Sequence, residues 1–208
     1  MSFDKFIKQY NATGREKLDG YSSFCFDEMT EEEKINAESL LLIAAERMDT
    51  TAFQGLSLIK SETGRALLER MIIQVKPPSL THLHAAEFLY EMTGENWLQE
   101  EITKNMDKSN KFIYELSIVI LSETHPTLFL FNTMRDIIMN VSDEGVARSV
   151  ASRALFRCFG FPDFEKDQAP ERISLHRRLF NARSIEVDHI IEEIKEIGVS
   201  KGYVNKIN

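Results

Sequence analysis

Glycine and proline are scarce in this chain of 208 residues, with nine of the first and five of the second. An all-β fold needs many tight turns, and turns draw heavily on those two residues. Their shortage predicts long helices with short connections. Cysteine occurs twice, at Cys25 and Cys158, each among aromatic neighbours (Phe24 and Phe26; Phe156 and Phe159). Thiols so far apart and so apolar in setting read as buried free cysteines in a reducing cytoplasm. No apolar run approaches the roughly 18 residues of a membrane span. The opening Met1-Ser2-Phe3-Asp4-Lys5 has no basic region followed by an apolar run, so no signal peptide is expected. The expected location is cytoplasmic.

Positive charge is also in short supply. The formal net charge is −8. Residues 1–104 carry 11 basic and 18 acidic side chains, a net of −7; residues 105–208 carry 14 and 15, a net of −1. A protein that binds nucleic acid non-specifically displaces counterions with a basic face, which this chain lacks. An acidic face favours a basic partner and speeds its encounter, or serves only to keep the protein in solution. What is abundant is helix-forming residues: 43% of the chain is hydrophobic and 28% charged, the composition of an ordinary globular protein.

Helix starts and stops recur along the chain. Thr30 with Glu33 makes a capping box for a helix running to Arg47, apolar at Ile35, Leu41, Leu42 and Ala45. Asp49 caps 50–60, which buries Phe53, Leu56 and Ile59. Ser61 opens a helix with Leu67, Leu68, Met71 and Ile72 inward, ended by Pro77-Pro78. Ser79 caps a helix to Met92, with Leu80, Leu83, Ala86 and Leu89 or Tyr90 inward, and Gly94 closes it. A short helix over 95–106 carries Trp97, Leu98, Ile102 and Met106. Ser109 caps the next, apolar at Phe112, Leu116, Val119 and Ile120 and broken at His125-Pro126. Pro126 suits the first turn of a helix with Leu128, Phe131, Met134, Ile137 and Ile138. Ser142, Asp143 and Glu144 open a helix to Phe159; Gly160-Phe161-Pro162 is a loop; Pro170 starts another helix; Ser184 caps the last, to Ile197. Residues 199–208 read as a partly disordered tail.

The expectation is one all-α domain over 1–208, built of stacked antiparallel helix pairs. A helix apolar along one stripe cannot bury that stripe alone, and stacking covers it. The segment 143–155 resembles the second helix of a HEAT-type repeat, although Val146 is followed by Ala147 before Arg148, where that pattern has Val-Arg. No strict period exists, so a HEAT-like repeat and a multi-helix bundle both remain open.

No constellation of residues makes an active site. Glu186 and His189 match Glu-x-x-His, one half of a di-iron motif, but no second copy occurs. His82 and His84 point about 200° apart on a helix and cannot share a metal. His84 has Thr81, Glu87 and Glu91 for local pairs. His125 and His176 have no serine or cysteine partner at any recognisable spacing, and Cys158 sits among aromatics rather than cations. Thr-Gly-Arg at 13–15 and 63–65 follows no strand and is no phosphate loop. No enzyme activity, cofactor, metal or small-molecule substrate is expected. Arg172, Arg177, Arg178 and Arg183 form the one basic group that could touch phosphate. They support the rival reading of a HEAT-like nucleic-acid-binding or DNA-glycosylase-like protein, which the overall acidity opposes.

The acidic groups are denser. Asp27, Glu28, Glu31, Glu32, Glu33 and Glu38 crowd the start of one helix, more than capping needs. Glu95, Glu100 and Glu101 flank the only tryptophan, Trp97. Trp97 is read either as core or as an anchor on an acidic rim. The candidate partner-binding residues are therefore Asp27, Glu28, Glu31, Glu32, Trp97, Glu100 and Glu101.

The whole chain resembles an α-helical immunity protein of a bacterial contact-dependent growth inhibition system. The resemblance lies in the acidic HEAT-like body of about this size, the opening Met-Ser-Phe-Asp-Lys-Phe-Ile and the run Asp49-Thr50-Thr51-Ala52-Phe53-Gln54-Gly55-Leu56. It implies a protein with no activity of its own. Such a protein binds one-to-one to a cognate toxin domain, commonly a nuclease with a basic active-site cleft, and neutralises it. Neither nucleic acid nor membrane is then a partner. The family shares no binding motif, so the interface residues above rest on charge alone.

Overall fold

The computed structural model describes residues 2–140, 145–163 and 169–207. Among these residues are twelve α-helices and no strand. The helices are α1 (Ser2–Tyr10), α2 (Gly14–Leu18), α3 (Glu31–Glu46), α4 (Thr50–Ile59), α5 (Glu62–Gln74), α6 (Leu80–Thr93), α7 (Trp97–Thr103), α8 (Lys111–Glu123), α9 (Leu128–Asn140), α10 (Val146–Cys158), α11 (Pro170–Asn181) and α12 (Ser184–Ser200). A 3-10 turn, Ser23–Cys25, precedes α3. The all-α expectation holds.

Most of the caps are where the sequence puts them. Thr30 Oγ1 accepts from Glu33 N while the Glu33 carboxylate accepts from Thr30 N at 2.8 Å, the reciprocal box that opens α3. Asp49, Ser61 and Ser79 accept from the first-turn amides of Thr51, Gly64 and His82. Gly94 ends α6 at φ 68°, left-handed backbone that costs glycine least. Three assignments shift. Asn110, not Ser109, caps α8 through Ile113 N. Thr127 caps α9 through Leu130 N, which leaves Pro126 ahead of the cap rather than in the first turn. Ser184 lies inside α12, and its hydroxyl donates to Met139 O at 2.7 Å, while Glu186 accepts from Arg183 N. The Ser142, Asp143 and Glu144 start proposed for α10 lies outside the described residues.

Contacts gather the chain into two compact units, 1–107 and 108–208. The divide falls at the connection between α7 and α8, where no glycine or proline interrupts the sequence. In the first unit α3 packs on α4, α4 on α6, and α6 on α5 and α7. Leu41, Phe53, Leu56, Leu68, Leu83 and Leu89 are fully buried between them. Phe6 of α1 joins Tyr21 and Phe26 in an aromatic cluster, with ring centroids 5.6–5.9 Å apart. Gln54 fixes this cluster to α4 by accepting from Tyr21 N at 2.8 Å. Phe24 and Cys25 fall outside it. Phe24 is exposed beneath the Lys5 ammonium, and Cys25 is half-buried rather than buried. Ile35, Leu80, Phe112 and Leu128, all assigned to inner faces from periodicity, are exposed.

In the second unit α10 is central, packed on α8, α9 and α11, and α12 packs on α9 and α11. Four of its nine buried positions are alanine or serine (Ala147, Ala151, Ser152, Ala154), which lets neighbouring helices approach closely there. Arginines tie its surroundings together by donating to carbonyls at helix ends, groups that a helix leaves without an internal partner. Arg148 reaches Ala182 O and Arg157 reaches Ser122 O.

Residues 203–206 pack back against the end of α10 and the turn after it. Tyr203 stacks edge-on against Phe161 at 4.9 Å, and Lys206 N donates to Cys158 O at 2.9 Å. Gly160 permits this: its φ is +80°, and a Cβ there would lie 2.3 Å from Val204 O. Gly160→Ala is expected to release the 203–206 segment and cost about 1–3 kcal/mol, the range for a strained backbone position. A melting temperature equal to the parent protein's would refute that account.

Candidate functional site

Several candidate chemistries meet structural answers. The Glu186 carboxylate is held by Arg183 at 2.8 Å, which lowers its pKa to about 2, while His189 is exposed. Among the described residues no three His, Cys, Asp or Glu side chains gather in a way that could hold a metal ion. Burial pushes the Cys158 thiol up to about 12, out of reach of a reactive thiolate at neutral pH. The basic group disperses. Arg172 is fully buried, its guanidinium carbon 5.7 Å from the ring centroids of both Phe156 and Phe161, and it donates to Pro162 O and to Asp163 O. Arg178 is bound to Glu193 at 2.7 Å and Arg183 to Glu186. Of the four, Arg177 is exposed and without an ion pair among the described residues, so the group does not make a common phosphate-binding face.

The acidic candidates sit in two places on the first unit. Asp27 and Glu28 are exposed in the turn before α3, and Glu31 and Glu32 are exposed in its first turn. Glu31 holds Lys34 at 3.0 Å, three residues on. Trp97, Glu100 and Glu101 belong to α7, which packs on α6 rather than in the α3–α4 layer. The structure therefore does not merge the seven residues into one patch.

Trp97 resolves to the rim, with 42% of its surface exposed. Its indole is nonetheless fixed. Nε1 donates to Glu95 Oε2 at 2.5 Å, Arg65 Nη2 holds the other Glu95 oxygen at 2.9 Å, and Arg65 Nε holds Glu69 at 2.9 Å. The chain Trp97–Glu95–Arg65–Glu69 crosses from the start of α7 to the outer face of α5. Between these helices runs a groove of about 500 Å³ lined by Glu69, Ile72, Ile73, Trp97, Glu101 and Lys104. Ile73 is 84% exposed. A hydrogen-bonded, half-exposed tryptophan beside an open aliphatic shelf and carboxylates is the arrangement found where interfaces concentrate their energy. Sequence reading found Trp97 and Glu101 but not Glu69, Ile73 or Lys104. Ile73 did carry a signal: it is apolar, yet follows the buried Ile72 and so falls off the inner stripe of α5.

Beneath this groove lies a buried polar hub. Asn105 Oδ1 accepts from Ser79 N at 3.0 Å, which turns its amide nitrogen toward His82 Nδ1 at 2.9 Å. Nδ1 is then the acceptor, the ring proton sits on Nε2, and Nε2 faces Glu101 Oε2 at 3.5 Å. His82 and His84 thus part company as their spacing requires: His82 is buried, and His84 pairs locally with Glu87 at 2.7 Å. Burial lowers the His82 pKa, against the pull of Glu101, and burial lowers that of His176 likewise.

Because these folded-state values are depressed, the unfolded chain takes up protons first as the pH falls through about 6.5. Their stabilising contribution is complete above that pH and is lost below it. Carboxylates with depressed values, such as Asp49 and Asp188, act only at lower pH. The urea midpoint is therefore expected to fall between pH 7.5 and pH 5.5, and to fall less in His82→Gln. Equal pH dependence in the two proteins would contradict the assignment.

The two units differ in charge. Residues 1–107 carry 11 basic and 19 acidic side chains, a net of −8, while residues 108–208 carry 14 of each. The whole net charge of the chain lies in the unit that contains both acidic groups and the Trp97 groove. No protein family, curated protein or solved structure matches this chain in comparison. No helix among the described residues is long and apolar enough to cross a membrane.

Proposed function

We propose that this protein is an immunity protein. In this reading it binds one-to-one, through its first unit, to a basic nuclease toxin domain and blocks the toxin's active-site cleft within the cytoplasm. The observation that carries the proposal is the confinement of the full −8 to residues 1–107. A cleft built to hold nucleic-acid phosphates presents cations, and a surface of carboxylates competes for them. The exposed Trp97, hydrogen-bonded to Glu95, supports the same reading, since a side chain already bonded before binding has less conformational freedom to lose on association. The burial of Arg172 and the pairing of Arg178 and Arg183 weigh against the nucleic-acid-binding alternative.

The test is co-expression with the toxin domain encoded beside it. Growth should be rescued and a one-to-one complex should elute from size exclusion. The triple variant Glu28→Lys, Glu31→Lys, Glu32→Lys is expected to associate on the order of tenfold more slowly at low salt, a difference that shrinks as salt screens it. A toxin domain that still kills, with no complex formed, ends this reading.

A further inference from the structure

We infer that the α5–α7 groove is the seat of an arginine side chain from a basic protein partner, its guanidinium stacked on Trp97 and bonded by Glu69 and Glu101. The inference rests on the partner-binding reading above and names what that partner inserts. The groove offers the three surfaces an arginine uses. Ile72 and the exposed Ile73 take an aliphatic stem. Trp97 lines the groove with 42% of its surface exposed, and its indole nitrogen is already committed to Glu95, which leaves the ring for a planar cation. Carboxylates on the α5 side (Glu69) and the α7 side (Glu101) can accept the several N–H donors that a guanidinium presents in one plane.

Charge favours this occupant over others. Glu69, Glu95, Glu100 and Glu101 outnumber the neighbouring cations Arg65 and Lys104. Lys104 now holds Glu101 at 2.6 Å, but its side chain is about half exposed, so it can swing into water as a guanidinium takes its place. Arg65 stays, because it fixes Glu95 and through it Trp97. A phosphate-bearing ligand would meet these carboxylates. A second copy of this chain would bring another unit of charge −8 against this one. Arginine is preferred to lysine because an ammonium cannot stack in a plane or span two carboxylates.

Trp97 is the only tryptophan, so its emission reports on this groove alone. The full chain is titrated at low salt with an oligo-arginine peptide, and with oligo-lysine and oligo-citrulline peptides of equal length. The expected result is a saturable change in Trp97 emission with oligo-arginine, a weaker one with oligo-lysine and none with oligo-citrulline. Glu69→Gln with Glu101→Gln should weaken oligo-arginine binding at least about fivefold, given the strength of charge-assisted hydrogen bonds. Glu31→Gln with Glu32→Gln should change it less than about twofold, since those groups lie on another layer. Helix content of each variant is checked by circular dichroism, and a groove variant that unfolds is replaced by Ile73→Lys, which sets a cation at an exposed position of the groove and should weaken oligo-arginine binding to a similar extent.

Unchanged emission, equal response to lysine, or equal weakening by the α3 pair overturns the inference. The two levels separate cleanly. A toxin complex formed with undiminished affinity by the Glu69→Gln, Glu101→Gln protein overturns the arginine seat and leaves the immunity reading standing. Specific oligo-arginine binding by a protein that fails to neutralise the toxin supports the seat and removes the immunity reading.

Discussion

Phe156→Ala is expected to lower the free energy of unfolding by about 3–5 kcal/mol, the range for removing a large buried aromatic. Phe156 is fully buried at the heart of the second unit. It meets the edge of Phe161 at 5.1 Å and lies 6.3 Å from the His176 ring. Its ring also faces the buried guanidinium of Arg172. Truncation therefore leaves a cavity and strips one aromatic face from a cation that has no bulk water to fall back on. Since a domain's whole stability is roughly 5–15 kcal/mol, the loss should be plain in a urea titration. A loss under about 1 kcal/mol would mean that neighbouring side chains collapse into the space, and would refute this description of the core.

Asn105→Ala is expected to cost about 2–4 kcal/mol, because it orphans a buried and a half-buried group at once. Ser79 N at the start of α6 loses its acceptor, and His82 Nδ1 loses its donor. The backbone carbonyl of Glu101, which also accepts from the amide, loses a third bond. The companion Asn105→Asp keeps an acceptor for Ser79 but sets a carboxylate beside His82. It should therefore raise the His82 pKa and weaken or reverse the fall in stability below about pH 6.5. Parallel pH profiles for the parent protein and Asn105→Asp, measured by urea unfolding, would show that His82 does not titrate against this hub.

The helices were legible because their signals are local. A hydroxyl or carboxylate can cap only a first turn a few residues away, so Thr30, Asp49, Ser61 and Ser79 announced their helices directly. The misplaced starts fail for an equally local reason. Ser109 and Asn110 are adjacent and both able to cap, and Ser184 had a better partner in Met139 O, 45 residues away. Two turns gave no signal at all: Met48 and Lys60 adopt positive φ without being glycine. The first helix does carry a local signal, with Phe3, Phe6, Ile7 and Tyr10 at i, i+3, i+4 and i+7. What covers that stripe is not local, since Phe6, Tyr21 and Phe26 meet across a gap in sequence.

The candidate surface was half legible. Charge is additive along a chain, so the acidity of the first half and the carboxylates around Trp97 could be counted without a fold. Which of them share a surface could not. Trp97 joins α5 because Arg65 bridges Glu69 and Glu95, 26 residues apart in sequence. The arginines of the second unit show the converse. Arg172 and Arg178 are alike in sequence, yet one is enclosed by Phe156 and Phe161 and the other bonds Glu193 at the surface.

By itself, then, the sequence determined the all-α class, the main helix starts and the sign and placement of the net charge, since each depends on neighbours within a turn or on simple addition. Tertiary structure alone decided which arginines are buried, that Trp97 stands at the rim of a groove, and that residues 203–206 fold back on Gly160. Each of these depends on partners distant in sequence, and a side chain's exposure and charge pairing belong to its surroundings rather than to its type.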